Sequence, residues 1–329
     1  MVMIVLFHSF LHNVFHFPID VVTANRLWYQ FVMMLGLIGN NIFVLISGYF
    51  LVKSPGLNFR RMINLWVRIM FYAVIVWSVL TLTGLQVFSL KGLIKCFMPI
   101  THRRWWFTST YFLMYIVHPY LNIFLHAMSR DDYKKFLMTI GLCWSIIPVL
   151  TKTDFAYSEL SMFIFLYCIG GYIRLWADDF GSRRFILYGL AFMGLNLLTA
   201  IVLDVIGLRF QVVGRNAEYF LHGGRPGMMR PFNILAALFL FVGFTRLNLK
   251  HSKFINITAS ATLGVYMLHE NGFSIKLFWH EIFKFPSFQD SPYLIPYSIT
   301  VVLLVYAICT LMELGRIKLF RTLSRGRLS

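Results

Sequence analysis

Three histidines near the N-terminus, His8, His12 and His16, are spaced i, i+4, i+8. On a helix that spacing puts them on one face, the outer two about 12 Å apart along the axis. A neutral imidazole can take a proton from a hydroxyl near neutral pH. His8, between Phe7 and Ser9 in an apolar run, is the candidate for that work. His16 precedes Phe17, Pro18 and Asp20 and reads as an interfacial residue. A purely structural reading, with His8 bonded to a neighbouring helix, stands beside the catalytic one. His8 and His12 also have metal-ligand spacing, but no nearby carboxylate or cysteine completes a site, so no metal is expected.

Further groups with chemical potential follow along the chain. Gly39-Asn40-Asn41 and Ser47-Gly48-Tyr49 put small and hydrogen-bonding residues inside an apolar run, which suits close helix packing or a polar wall. Arg60, Arg61 and Arg68 fall near one helix face, seven and eight residues separating the first two from the third. They serve equally as topology signals or as phosphate grips, since the guanidinium fork suits that geometry. Trp105, Trp106, Thr108, Ser109, Thr110 and Tyr111 form an aromatic belt with hydroxyls, and His118-Pro119-Tyr120-Leu121-Asn122 lies deeper in the same segment. His269-Glu270-Asn271 puts three polar residues together near the end of another apolar run. Polar groups of this kind are costly against lipid and mark functional candidates.

The elements that must position these residues are membrane helices. The chain has 329 residues, 58% hydrophobic and only 13% charged, with mean hydropathy +0.70. A soluble core cannot hide that much apolar surface, so a soluble enzyme, a disordered chain and a coiled coil are excluded. The apolar runs are too long for barrel strands. The expected fold class is all-α: a polytopic membrane protein of about ten transmembrane helices in a single domain over 1–329. The expected spans are roughly 1–17, 32–52, 62–88, 105–127, 135–150, 158–176, 185–207, 230–245, 256–278 and 293–314. Segment 135–150 is short and ends at Pro148. Residues 91–98 read as a short amphipathic helix at the interface.

The net charge of +17 comes from 30 Lys and Arg against 13 Asp and Glu. One alternate set of loops, with Lys53, Arg130, Lys134, Arg183, Lys250 and the tail from Arg316 to Arg327, is the more basic. The positive-inside rule therefore puts both termini in the cytoplasm and makes nucleic acid an unneeded partner. The stretch 208–229, with Arg209, Arg215, Glu218, His222, Gly223, Gly224 and Arg225, then faces outward. Four separated cysteines suggest neither a disulfide framework nor a zinc site. The sequon at Asn256 falls in an inner loop and is taken as chance. No basic leader or signal-peptide cleavage pattern precedes the first apolar run.

Several segments, in order, resemble the integral-membrane acyltransferase family three, which includes O-antigen and capsule O-acetyltransferases. They are Val5 to Ser9, Asn41 to Tyr49, Arg60 to Arg68, Trp106 to Asn122, Gly170-Gly171-Tyr172, Pro231 to Phe241 and Leu263 to His269, covering nearly the whole chain. The resemblance implies ten helices, cytoplasmic termini, acetyl-CoA as donor and a sugar hydroxyl as acceptor. It implies that His8 deprotonates that hydroxyl or otherwise handles the acyl group, and that Arg60, Arg61 and Arg68 meet coenzyme A phosphates. The family pairs this histidine with an arginine eleven residues earlier, a position before Met1. Either the reading frame starts upstream, which the abrupt apolar start favours, or part of the site is missing.

The expectation is a bacterial inner-membrane O-acyltransferase, multi-pass, acting on a surface polysaccharide or its lipid-linked precursor. His8 is its catalytic residue. Arg60, Arg61, Arg68, Asn40, Ser47, Trp105, Trp106, Tyr111, Asn122, His269 and Glu270 are its binding candidates. No bound cofactor is expected: acetyl-CoA or another acyl-CoA is a co-substrate. The partners are that donor, a glycan or lipid-linked sugar, and membrane lipid. A transporter or flippase, or a polymerase for the same glycans, is the rival class, and neither rival should cleave acetyl-CoA.

Overall fold

The computed structural model describes residues 1–153, 157–176, 184–221, 225–248 and 250–325. Arg183, His222, Gly223, Gly224 and Arg327, singled out above, lie outside them. Among the described residues the elements are helices joined by turns, with no strand. In chain order they are α1 (Val2–Leu11), α2 (Ala24–Leu51), α3 (Phe59–Leu82), α4 (Leu90–Phe97), α5 (Trp106–His126) and α6 (Arg130–Thr151). There follow α7 (Glu159–Leu175), α8 (Phe185–Leu208), α9 (Arg215–Leu221), α10 (Pro231–Thr245), α11 (Lys253–Ser260), α12 (Thr262–His269) and α13 (Leu294–Arg325).

Five of these, α2, α3, α6, α8 and α13, are long and apolar enough to cross a membrane. The other expected spans take different forms. α1 has only ten residues, α7 seventeen and α10 fifteen, against about 20 for a full crossing. α5 has 21 residues, but Ser109, His118, Pro119 and Asn122 dilute its apolar character. Segment 256–278 is broken: α11 and α12 meet at Ala261, and α12 stops at His269. Segment 135–150 is longer than expected. Ser129 caps α6 by accepting from the Asp132 N–H, and a π-turn at Leu142–Ile146 carries the helix past Pro148, which has no N–H to give.

α1 also corrects the histidine row. It ends at Leu11, and Asn13 turns its amide back onto the Ser9 carbonyl at 2.7 Å. His8 and His12 keep their i, i+4 relation, but His16 lies past the helix end and does not share their face. The expected helix at 91–98 is present as α4, with Ser89 as its cap.

The chain packs as two compact units interleaved in sequence. The first comprises Met1–Phe15, Asn64–Trp105 and Leu249–Ser329; the second comprises His16–Ile63 and Trp106–Asn248. In the first, α1 and α12 both pack on α13. Gly264 is needed there because a Cβ at that position would sit 2.4 Å from Glu313 Cδ. In the second, α2 lies against α7, and α8 against α10. The glycine-rich run expected to allow close packing does so at Gly48, where a Cβ would come within 2.2 Å of the Tyr167 carbonyl oxygen.

In the second unit α5 carries a local repair. Pro119 has no N–H for the carbonyl four residues back, that of Tyr115. The His118 ring supplies the missing donor, Nδ1–H to Tyr115 O. The buried Tyr115 ring packs against the His118 ring at 4.9 Å between centroids.

Candidate active site

The catalytic candidate sits in the first unit and is built from two helix ends. α1 presents His8 and His12 side by side, ring centroids 5.7 Å apart. α12 delivers His269 as its last residue and Glu270 as its C-cap. The break is fixed by Asn271. Its amide donates to the carbonyls of Met267 and Leu268 at 3.0 and 2.7 Å, while its oxygen accepts from the Ser274 N–H at 3.0 Å. One side chain thus closes the end of α12 and starts the next turn, and Glu270 is left pointing at the histidines.

His8 is 2% exposed and His269 fully buried. His8 Nδ1 lies 2.9 Å from His269 Nε2 and 3.1 Å from Glu270 Oε2. His12 Nε2 lies 2.9 and 3.1 Å from the two Glu270 oxygens. His269 Nδ1 is 2.6 Å from the Val265 carbonyl, and His280 Nε2 donates to the His12 carbonyl at 2.7 Å.

The tautomers follow from this network. A carbonyl only accepts, so the His269 proton is on Nδ1. Its Nε2 is then an acceptor, and the proton between it and His8 belongs to His8 Nδ1. Glu270 accepts from the same N–H. His8 Nε2 is left with its lone pair and makes no hydrogen bond among the described residues. That is an imidazole oriented by a carboxylate through one nitrogen and basic at the other, the arrangement that general-base catalysis requires.

The carboxylate that the sequence places nowhere near His8 and His12 is therefore supplied by the fold, from 258 residues away. The same groups, His8, His269 and Glu270, bring ligand atoms within 4.8 Å of one another, as a metal site would. Their contacts to His8 Nδ1 are 2.9 and 3.1 Å, shorter than the roughly 3.3 Å edge of a tetrahedron with zinc-length bonds. The spacing is that of hydrogen bonds.

The remaining candidates are distributed as follows. Arg60 and Arg61 are exposed on the first turn of α3, where Asn58 accepts from the Arg61 N–H at 2.9 Å, and Arg68 is half-buried two turns on. No side chain among the described residues engages these three guanidinium groups. Trp105, in the first unit, is 2% exposed, with the Arg104 guanidinium 5.7 Å from its ring. Trp106, in the second, packs edge-on against Phe107 and Phe163. Also in the second unit, Asn40 is buried, and the Ser47 side chain meets the Tyr111 hydroxyl while donating to the Phe43 carbonyl at 3.0 Å. Asn122 is engaged at both ends of its amide: it donates to the Leu51 carbonyl at 2.8 Å and accepts from the Tyr167 hydroxyl at 2.6 Å. It ties α5 to the end of α2 and to α7.

Sequence reasoning missed two buried networks. In the first unit Glu313 is fully buried and receives two hydrogen bonds from Arg316, Nε at 2.6 Å and Nη2 at 2.7 Å, and one from the Tyr72 hydroxyl. In the second, Asp204 accepts from Gln30 at 2.8 Å and from the Gly214 N–H at 2.7 Å. A lone carboxylate within an apolar run was the available signal for both.

Residues 1–312 match the acyltransferase 3 family, described as an acyltransferase domain, and the chain belongs to that family. No curated protein and no solved structure matches the chain. The chain is thus an acyltransferase, and its long apolar helices make it a membrane one.

Proposed function

We propose that the protein is an O-acyltransferase that moves an acyl group, acetyl by preference, from acyl-CoA to a sugar hydroxyl of a surface polysaccharide or its lipid-linked precursor. The observation that carries the reading is the Nε2 of His8, which no group among the described residues engages, opposite an Nδ1–H shared by Glu270 and His269. The acceptor hydroxyl gives its proton to His8 Nε2 as its oxygen adds to the thioester carbonyl. Glu270, beside the other nitrogen, stabilises the imidazolium. The tetrahedral adduct collapses with cleavage of the C–S bond. His8 Nε2–H returns the proton to the departing thiolate, leaving an ester and free coenzyme A.

Arg60, Arg61 and Arg68 hold the donor phosphates in this reading, since no side chain among the described residues engages their forks. Asn40, Ser47 and Tyr111 offer polar contacts to a sugar, and Trp106 offers a stacking face. Trp105 is too deeply buried to stack on a ligand without moving. We place the protein in a bacterial inner membrane with both termini cytoplasmic, on the charge bias of its loops.

The test uses membranes containing the protein or its His8→Ala variant, labelled acetyl-CoA and host glycan, with alkali-labile label on the glycan as the readout. Label with the parent and none with His8→Ala, both inserted and equally stable, is the expected result. Ester formation at the parent level in His8→Ala removes the role of the base. A parent that never consumes the thioester, given a competent acceptor, rules out acetyl-CoA as the donor.

A further inference from the structure

The end of α3 and the chain past α12 enclose a hollow in the first unit that the proton transfer above does not use. α3 stops at Leu82. Gly84 follows in the left-handed region, at φ +73°, and the Gln86 N–H returns to the Leu80 carbonyl at 3.0 Å. That turn brings Gln86 back beside Leu80. The opposite wall starts at Asn271, which caps Gly272–Ser274. The chain then winds as a π-helix over Ile275–Ile282. A π-helix closes i to i+5, so Lys276 and Glu281 share a face, where they pair at 3.6 Å. The hollow holds about 180 Å³. Leu80, Phe273 and Leu277 contribute its apolar lining, and Gln86, Lys276 and Glu281 its polar lining.

This lining selects among occupants. Lys276 and Glu281 balance each other, so the pair offers an ion no net attraction. It does offer an ammonium that donates and a carboxylate that accepts, and Gln86 adds an amide that does both. No hydrogen bond among the described residues engages that amide. A neutral polyol uses all three groups, and the C–H faces of its ring suit Phe273 and the leucines. A hydrocarbon chain would use only the apolar part and strip water from the polar part without replacing it. A ligand the size of the donor needs a larger site, roughly 300–1,000 Å³. Position ties the hollow to the reaction. Gly272, in its lining, is two residues past Glu270, at most about 7 Å along the chain. The Asn271 side chain that ends α12 beside Glu270 also starts this wall.

We propose that the hollow is a subsite for a neutral sugar of the acceptor chain, a neighbour of the one whose hydroxyl meets His8. The assignment rests on the O-acyltransferase reading and adds to it a place where the acceptor is recognised.

The test measures binding without chemistry. The full chain carrying His8→Ala, in a sugar-free detergent and without acetyl-CoA, is titrated against fluorescein-labelled host glycan and followed by anisotropy. Gly272→Leu fills the hollow: the Gly272 φ is not positive, and an added Cβ meets nothing within 4 Å. It should weaken binding about tenfold. Gln86→Ala leaves the hollow open, should weaken binding about fivefold, and decides the matter if Gly272→Leu does not fold. Lys135→Gln, an exposed cation of the second unit, should change nothing. With His8 restored, the two cavity variants should raise the KM for glycan by the same factors and leave kcat and the KM for acetyl-CoA unmoved. Unchanged binding in both variants, or no binding to the intact hollow, overturns the subsite even where transfer proceeds. Weakening by Gly272→Leu alone assigns the hollow to an acyl chain and also overturns it. Glycan binding that both variants weaken, in a chain that never transfers an acyl group, upholds the sugar site and removes the transfer reading instead.

Discussion

Glu270 and Glu313 are carboxylates of the same unit, the first half-buried and the second fully buried, and each has a partner distant in sequence. Glu313 is matched by a full cation: Arg316 grips both its oxygens and Tyr72 adds a third donor. Among the described residues Glu270 has no arginine or lysine beside it, only the N–H groups of His8 and His12. The first arrangement closes on itself and leaves nothing to react. The second leaves a basic nitrogen at its edge and a carboxylate ready to offset the charge that proton transfer creates. The difference shows that burial of an acid marks a site only when its partners can change protonation.

Substitutions should separate the two carboxylates. Glu270→Gln keeps the shape but removes the charge behind His8, and transfer should fall about a thousandfold with the melting temperature nearly unchanged. Steady-state rates and a thermal melt on the same preparation check this, and a retained rate would make Glu270 a structural residue. Glu313→Gln should do the reverse. It leaves Arg316 without a countercharge in a mostly buried position, at a cost of about 3–5 kcal/mol, read as loss of folded protein in detergent. The surviving folded fraction should keep its turnover number.

Smaller effects probe the second unit, whose polar residues hold helices together. Tyr167→Phe removes the donor to Asn122 and should cost about 1 kcal/mol of stability, with the KM for donor and acceptor unmoved; a change confined to KM would restore Asn122 as a binding residue. The smallest effect belongs to Glu218, on α9. Burial raises its carboxyl above the ordinary value, and the nearby Arg26 only partly opposes the shift. A raised pKa in the folded state stabilises below the ordinary carboxylate value, and that contribution is lost as pH rises through the raised one. The parent should therefore gain on Glu218→Gln as pH falls from 7 to 4, and paired melts at the two pH values show whether it does.

Much of this architecture is written in local signals. The long apolar runs of α2, α3, α8 and α13 lie near their expected places, because runs of that length need no tertiary information. His8 was visible as a titratable group in an apolar run. His269 and Glu270 were visible too, but their role was not, since a contact spanning 261 residues leaves no local trace. The end of α1 at Leu11 was missed because Phe15 and Phe17 extend the apolar pattern beyond the point where Asn13 closes the helix. The continuity of α6 was missed because a proline reads as a stop, and a π-turn that accommodates it has no composition of its own.

His118 and Pro119 carry a consequence for how this chain can change over generations. The imidazole fills the vacancy that the ring of the next residue creates. Exchanging Pro119 for an ordinary residue restores the backbone donor and makes the imidazole redundant there. Exchanging His118 first, with the proline still in place, strands a carbonyl in the interior, at about 1–3 kcal/mol. The two orders of substitution are thus unequal, and the route through the proline is the accessible one.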